Sequence, residues 1–596
     1  MHGIRRLGAL LLSSLTVLAV VSPAAVATGS ASPVSQPPTS QGTGRVVVHT
    51  PDGALRGIHA HDVDSFLGIR YAQPPTGNLR WVPPQPVQPW KGVRSAEAYG
   101  NRCPAPESGN GPQSLTEDCL FLNVQRPATT RSHGRLPVYV WIHGGGLATG
   151  SSNQHDGTKI VRETGIIVVT INYRLGVLGF LAHPALTASQ GESGNYGFMD
   201  QQQALRWVRR NIAAFGGDPH RVTIGGESAG GWSVCGHLSA PGSRGLFAGA
   251  VIESGSCFSW PQADADSFAD QVTSQVGCAA TADPAAIACL RQVPVQALLD
   301  AANNWFGPLL VNTTPTLPQD PFVAVTSGAF TRVPVLIGAN RDEGRSFTQG
   351  DVDWTQQIYE QWVRDSFGSD ADAILAHYPW PATSDQWTGA YLEAAILTDG
   401  GFLAGIGGCS GRFLTNTLAD YVPTFSYQFD HRTGPGLTPI PGYVWGAGHA
   451  AELAYMWPSF DNGIPIAPTF NAAERRLAHD MVAWWGNFVR TSAPGTVEAT
   501  AWPRLDASLG PRAQLLSLRA GGRSTPITDA RLSAQHQCDF WDSLFAPEQA
   551  ARGDAPLRHK APSVRLQQPL DRRLRPSAVV SAPRRGNQAG AGLAAR

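Results

Sequence analysis

Ser228 stands in Gly226-Glu227-Ser228-Ala229-Gly230, directly after the β-branched stretch Val222-Thr223-Ile224 and before residues that can continue as a helix. A strand, a sharp turn and a helix are what a G-x-S-x-G nucleophile elbow requires. Glycines on both sides of the serine tolerate dihedrals that a side chain forbids and leave room for a crossing backbone. The turn then holds the hydroxyl clear of the sheet, within reach of a base and a substrate carbonyl. The five-residue pattern also occurs by chance, as a glycine-rich turn with an ordinary serine. Partners elsewhere in the chain must decide between the two.

Acyl transfer by a serine needs a base, an acid that orients the base, and donors for an oxyanion. Candidate donors lie in His143-Gly144-Gly145-Gly146, which directly follows the apolar run Val138–Ile142. This matches the H-G-G-G oxyanion loop of esterases, in which glycine N–H groups converge on one point without side chains closing it. The N–H groups of Gly145, Gly146 and Ala229 are the expected donors. A glycine-rich loop after a strand can instead cradle phosphate, but this one has neither the G-x-G-x-x-G spacing nor a P-loop lysine.

The elements that must position these groups are visible as apolar runs. Strand-like segments are Leu136–Ile142, Ile166–Ile171, Val222–Ile224, Ala250–Glu253, Val333–Ile337 and Thr424–Phe429. Several are nearly continuous apolar runs, as parallel strands buried on both faces read. Helical periodicity falls between them, at Met199–Ala214 and Ala473–Val489. Alternating strands and helices predict an α/β fold with a large, mostly parallel central sheet flanked by helices. No internal repeat divides it, so a single catalytic domain over 45–546 is expected.

The chain resembles the type-B carboxylesterase/lipase family of the α/β-hydrolase fold. The resemblance rests on Phe66-Leu67-Gly68-Ile69-Arg70-Tyr71-Ala72-Gln73-Pro74-Pro75, on Glu117-Asp118-Cys119-Leu120-Phe121-Leu122-Asn123-Val124, on Asn195-Tyr196-Gly197-Phe198-Met199-Asp200-Gln201 and on the stretch from Phe215 to Gly231. Matches run from about residue 45 to Trp541. The resemblance implies a triad of Ser228, Glu343 in Asp342-Glu343-Gly344, and His449 in Gly446-Ala447-Gly448-His449. It also implies an accessory electrostatic role for Glu227, and scaffold ion pairs Arg80 with Glu117 and Arg174 with Asp200. It pairs Cys103 with Cys119, Cys278 with Cys289, and Cys409 with Cys538. Cys235 and Cys257 remain; by elimination they are left to each other, and whether they pair stays open. Arg70 departs from the proline common at that point of the family string.

The implied activity is hydrolysis of apolar carboxylic esters through an acyl-enzyme on Ser228, with no cofactor and no metal. A lipase acting on long-chain acylglycerols is the alternative within enzymes. A catalytically silent binding or adhesion protein on the same fold is the alternative outside them. The loop between Cys103 and Cys119 contains no Trp, Tyr or Phe, which argues against a dedicated choline-ester site. Trp232, Trp260, Trp305, Phe306, Trp445 and Trp457 suit an aromatic-lined pocket, and core packing explains them equally well.

Composition agrees with this outline. The 596 residues are 42% hydrophobic and 15% charged with a formal net charge of zero, so a large core is available and nothing points to nucleic acid as a partner. The expected partner is a small-molecule or lipid ester, and oligomeric state is unreadable. Arg5 and Arg6, the apolar stretch Leu7 to Val21 and Ala25-Val26-Ala27 read as a secretory signal over 1–27. A Ser/Pro/Gly/Thr-rich linker follows over 28–44, and 547–596 is a basic, low-complexity tail. Eight cysteines without a C-x-x-C suit disulfides in an oxidising, extracellular setting more than zinc. No integral membrane segment is expected once the signal is removed.

Overall fold

The computed structural model describes residues 44–550 except 129–133, 280, 303–308, 403 and 513; the signal, linker and tail segments, with Trp305 and Phe306, lie outside the described residues. The scaffold is one 13-stranded sheet. Its strands are β1 (Gly44–Thr50), β2 (Gly53–Ala60), β3 (Val63–Arg70), β4 (Val93–Ser95), β5 (Phe121–Pro127), β6 (Leu136–Ile142), β7 (Ile167–Ile171), β8 (Gly217–Glu227), β9 (Gly249–Glu253), β10 (Val335–Asn340), β11 (Thr424–Phe429), β12 (Gln514–Leu518) and β13 (Thr525–Thr528). They lie in the order β1-β2-β3-β5-β7-β6-β8-β9-β10-β11-β12-β13, with β4 beside β2. From β7 through β12 the pairings are parallel. The β1-β2-β3-β5-β7 path and the β12–β13 pair are antiparallel, while β4 joins β2 in parallel, so the sheet is mixed at its edges.

The parallel centre is buried on both faces, which is why its strands read as apolar runs. Along β6, Val138, Val140 and Ile142 join one core cluster, while Tyr139 and Trp141 join another on the opposite face. The first face is covered by α1 (Tyr196–Asn211), whose Phe198, Leu205, Trp207 and Val208 are buried. The second is covered by a 20-residue helix, Ala472–Thr491, through Leu477, Met481, Trp484, Trp485 and Phe488. Its start is fixed by a capping box. Asn471 Oδ1 accepts the N–H groups of Ala473 and Glu474, and Glu474 Oε2 accepts that of Asn471. Each large apolar side chain buried in this way contributes about 1.5–3 kcal/mol, so sheet and helix hold each other in place.

The expected runs Leu136–Ile142 and Thr424–Phe429 coincide with β6 and β11, but Val333–Ile337 is displaced to Val335–Asn340. Pro334 has no N–H to give a ladder, and it enters the sheet only as an acceptor, from Ala250 N. The strand gains Gly338, Ala339 and Asn340 instead, poor strand formers held by pairing with Tyr427 to Phe429. The antiparallel flank was not among the expected runs. Its strands are seven or eight residues long but only partly buried, and Gly, Arg and Asp break the apolar runs that mark the centre.

Four disulfides join Cys103–Cys119, Cys235–Cys257, Cys278–Cys289 and Cys409–Cys538, with Cα separations of 4.9 to 5.9 Å. Arg80 Nε lies 2.7 Å from Glu117 Oε2. Arg174 makes a two-pronged pair with Asp200, at 2.7 and 2.8 Å. Arg70 has a partner of its own. It grips Asp118 at 2.5 and 2.8 Å and stacks on Phe121, fastening the end of the Cys103–Cys119 loop to β3.

The Arg174 and Asp200 side chains are 3% and 0% exposed. Asp200→Ala leaves a buried guanidinium without its counter-charge and should lower the free energy of unfolding by about 3–5 kcal/mol in urea titrations. Arg364→Ala, at the solvent-exposed Arg364–Asp372 pair, should change it by less than about 1 kcal/mol. Equal effects at the two sites would contradict this account of the core pair.

Candidate active site

β8 ends at Glu227 and a helix, α2 (Ala229–Ser239), begins one residue after Ser228. Ser228 itself sits at φ 55° and ψ −122°, a backbone region that costs a non-glycine residue on the order of 1–3 kcal/mol. Two main-chain bonds hold it there: its N–H donates to Glu253 O at 2.9 Å, and its carbonyl accepts Trp232 N at 3.0 Å. The turn closes because its neighbours lack side chains. A Cβ on Gly226 would lie 2.5 Å from Gly230 C, and one on Gly230 would collide with Ile142 O. A Cβ on Gly231 would lie 2.8 Å from Gly255 Cα.

The loop after β6 meets this turn from above. A Cβ on Gly144 would lie 3.1 Å from Ser228 Cβ and 2.6 Å from Glu227 Oε2. Gly145 and Gly146 take φ of 102° and 63°. Gly145 O accepts the N–H groups of Ala148 and Thr149, which folds the loop back on itself. No acceptor among the described residues takes the N–H of Gly145 or Gly146. Tyr173 OH donates to His143 O at 2.8 Å and its ring stacks on the His143 ring, so the base of the loop is pinned.

Glu343 and His449 come from two further loops that are tied to each other. Asp342 N donates to Ala447 O at 2.8 Å, and Ala447 N donates back to Asp342 Oδ2 at 2.9 Å. His449 N donates to Glu343 O, and Ser346 Oγ donates to His449 O. The Glu343 carboxylate is fully buried. Its Oε1 accepts from Ser254 Oγ at 2.6 Å and from Asn340 N at 2.7 Å, which leaves Oε2 for His449 Nδ1, also at 2.6 Å. The Nε2 of His449 faces Glu227 Oε1 at 3.2 Å. Glu227, Glu343 and His449 are thus brought together from β8 and two loops, over a sequence span of more than 200 residues, with Ser228 the next residue after Glu227.

A third carboxylate, Glu452, and a second serine, Ser254, belong to the same cluster and were not singled out in the sequence. Asn340 Nδ2 donates to Glu452 Oε2 at 2.5 Å and to Gly448 O at 2.8 Å. Ser254 Oγ lies 3.5 Å from Glu452 Oε1. Glu452 falls three residues after His449 in an otherwise apolar run; a carboxylate there, with no exposed face to occupy, was the available signal. Burial raises the pKa values of Glu227 and Glu452, and neighbouring carboxylates add to the rise. Burial pulls His449 down, but Glu227, Glu343, the hydrogen bond to Glu343 and Glu452 outweigh it and lift the imidazole to about 9.

Among the aromatic residues singled out, Trp457 is core: it packs on Trp141 and His155 at 4.9 and 5.4 Å. Trp232 is buried beside Phe258, and Trp260 packs on Phe268. Trp445 joins Tyr443 and Trp387 in a separate cluster on the loop before His449. Among the described residues, Phe347 brings a ring against the site, 5.1 Å from the His449 ring.

Comparison with known proteins gives the same outline. A family profile described as "Carboxylesterase family" matches residues 44–541. The chain is 34% identical over 480 residues to fumonisin B1 esterase of Sphingopyxis macrogoltabida, a match that covers 78% of this chain and 85% of that protein. It is 34% identical over 503 residues to pyrethroid hydrolase Ces2e of Rattus norvegicus, covering 80% and 85%. A solved PNB esterase structure superposes with a TM-score of 0.68 at 31% identity, over 82% of this chain and 99% of that one.

Because the Gly230 contact is with backbone, it has no side chain to yield. Gly230→Ala should lower the free energy of unfolding by about 3 kcal/mol or more, or abolish soluble expression. Gly411→Ala, in a helix and with nothing within 4 Å of the added Cβ, should be neutral or stabilising by up to about 1 kcal/mol. Thermal and urea unfolding of the two variants side by side decides the point.

Proposed function

The chain belongs to the carboxylesterase family, and we propose that it hydrolyses apolar carboxylic esters through an acyl-enzyme on Ser228. The observation that carries this reading is the His449 imidazole, clamped at Nδ1 by Glu343 while Nε2 turns toward the Glu227–Ser228 turn. In the first half-reaction Nε2 takes the Ser228 proton as Oγ attacks the ester carbonyl. Glu343 holds the tautomer with the proton on Nδ1 and stabilises the imidazolium. The N–H groups of Gly145, Gly146 and Ala229 receive the oxyanion, each worth on the order of 3 kcal/mol. The imidazolium then protonates the leaving alcohol, and a water molecule repeats the sequence on the acyl-enzyme. No step calls for a cofactor.

Glu227 has an accessory electrostatic role in this scheme. Its carboxyl faces Nε2 and lies against Gly144, so its charge acts on the base and on the oxyanion loop together. The same proposal places the protein outside the cell, with 1–27 as signal, 28–44 as linker, 45–546 as the catalytic domain and 547–596 as a basic tail. The four disulfides suit an oxidising compartment, and no helix among the described residues is long and apolar enough to cross a membrane.

A chain-length series of p-nitrophenyl esters with emulsified triolein tests the chemistry. Wild type should cleave short and medium esters, and Ser228→Ala should lose at least about 10³-fold in kcat/KM. Preference for chains beyond about ten carbons, with activation at an interface, would identify a lipase instead. A Ser228→Ala variant as active as wild type ends the assignment of the nucleophile.

The pH profile tests Glu227 separately. His449 must be neutral to accept the proton, and its raised pKa places the rise of kcat/KM near pH 9. Glu227→Gln removes a charge that raises this pKa, so the rise should move to lower pH. An unmoved midpoint would show that Glu227 exerts no field on the base.

A further inference from the structure

Every charged group placed at the site so far is a carboxylate facing one imidazole. The Cys103–Cys119 loop brings in a cation. Arg102, next to the disulfide, donates through its guanidinium to Asn110 O and lies against Gly111. Asn110 Nδ2 donates to Thr149 Oγ1 at 3.0 Å, and Thr149 Oγ1 donates to Gly145 O at 3.1 Å. Three contacts therefore lead from the guanidinium to the glycine loop proposed to hold the oxyanion. Its field is felt there: burial lowers the pKa of His143 to about 4, and Arg102 adds to the fall against the hydrogen bond that His143 Nδ1 gives to Gly144 O.

Unlike Arg70, Arg80, Arg174 and Arg412, Arg102 forms no ion pair within 4 Å of any carboxylate among the described residues. Asp461 attracts it from further away, and that carboxylate accepts the N–H of Gly463 within its own turn. A partly buried guanidinium whose hydrogen bond goes to a carbonyl keeps both its charge and donors for an anion. Arginine presents those donors as a planar fork that matches a carboxylate.

We propose that Arg102 selects esters that carry a free carboxylate, holding that carboxylate beside the Cys103–Cys119 loop while the ester carbonyl lies in the Gly145–Gly146 loop. The proposal rests on ester hydrolysis at Ser228. It supplies what an anionic substrate needs at this site, a counter-charge to offset Glu227, Glu343 and Glu452. The carboxylate can belong to the acyl group or to the alcohol, and the two are separable by experiment.

The test compares kcat/KM for mono-4-nitrophenyl succinate against 4-nitrophenyl acetate, and for 3-acetoxybenzoate against phenyl acetate, in wild type, Arg102→Gln and Arg102→Lys. In Arg102→Gln at least one anionic ester should lose about tenfold, mainly through KM, with both neutral esters within about twofold of wild type. Arg102→Lys, which keeps the charge and loses the fork, should fall between Arg102→Gln and wild type. In wild type the anionic-to-neutral ratio should fall on going from low salt to about 0.5 M salt, a measurement that does not depend on how the variants fold. The pair that responds tells which half of the ester carries the carboxylate. Equal losses on neutral and anionic esters, or a wild-type ratio indifferent to salt, would overturn the proposal. Failure of wild type to cleave any of the four esters would instead count against the esterase reading itself.

Discussion

The backbone of Gly230 crosses the carbonyl of Ile142 at a distance that leaves no room for a side chain. That crossing sets how far α2 can advance toward β6, and therefore where the turn at Ser228 protrudes. The loop after β6 starts one residue beyond the same carbonyl, so Gly144 to Gly146 and Ser228 are referenced to a single point of contact. Gly231 repeats the device on the other side, against Gly255 in the segment leaving β9. The cost of holding Ser228 at a positive φ is met by the parallel centre of the sheet and the helices on its two faces, which no local rearrangement of the turn can relax.

Around this fixed turn the protein buries more acid than one imidazole can neutralise. Glu227, Glu253, Glu343 and Glu452 are all nearly or fully inaccessible. Glu343 alone is given a full set of donors, from Ser254, Asn340 and His449. Glu253 accepts the Trp485 N–H at one oxygen, and burial raises its pKa well above the usual carboxylate range. Carboxyls this short of donors resist ionisation together. Hydrogen-bond supply, not proximity alone, distinguishes the acid that orients His449 from the others.

What was legible in the sequence follows from this division. Ser228 and the Gly144–Gly146 loop could be read from residue types because their requirements are local: a backbone crossing, a positive φ, a missing side chain. β6 and β11 could be read because both faces are buried. Glu343 and His449 carried no such local requirement and came through the family resemblance. Ser254, Asn340 and Glu452 were not read at all. Their roles arise only where the ends of β9 and β10 meet the loop after β11, and a serine or an asparagine at a strand end has many commoner uses. The extended end of β10 has the same origin, since pairing with β11 overrides the weak strand preference of Gly338 and Asn340.

In the proposed reaction, the complete burial of Glu343 bears on the barrier itself. In solution, forming an imidazolium beside a carboxylate requires the surrounding water to turn its dipoles as the charge moves. Here the dipoles that would have to turn are the Ser254 hydroxyl and the Asn340 amide, already aimed at the carboxylate before any substrate arrives. The reorganisation that a solvated pair pays during each turnover was completed once, when the chain folded.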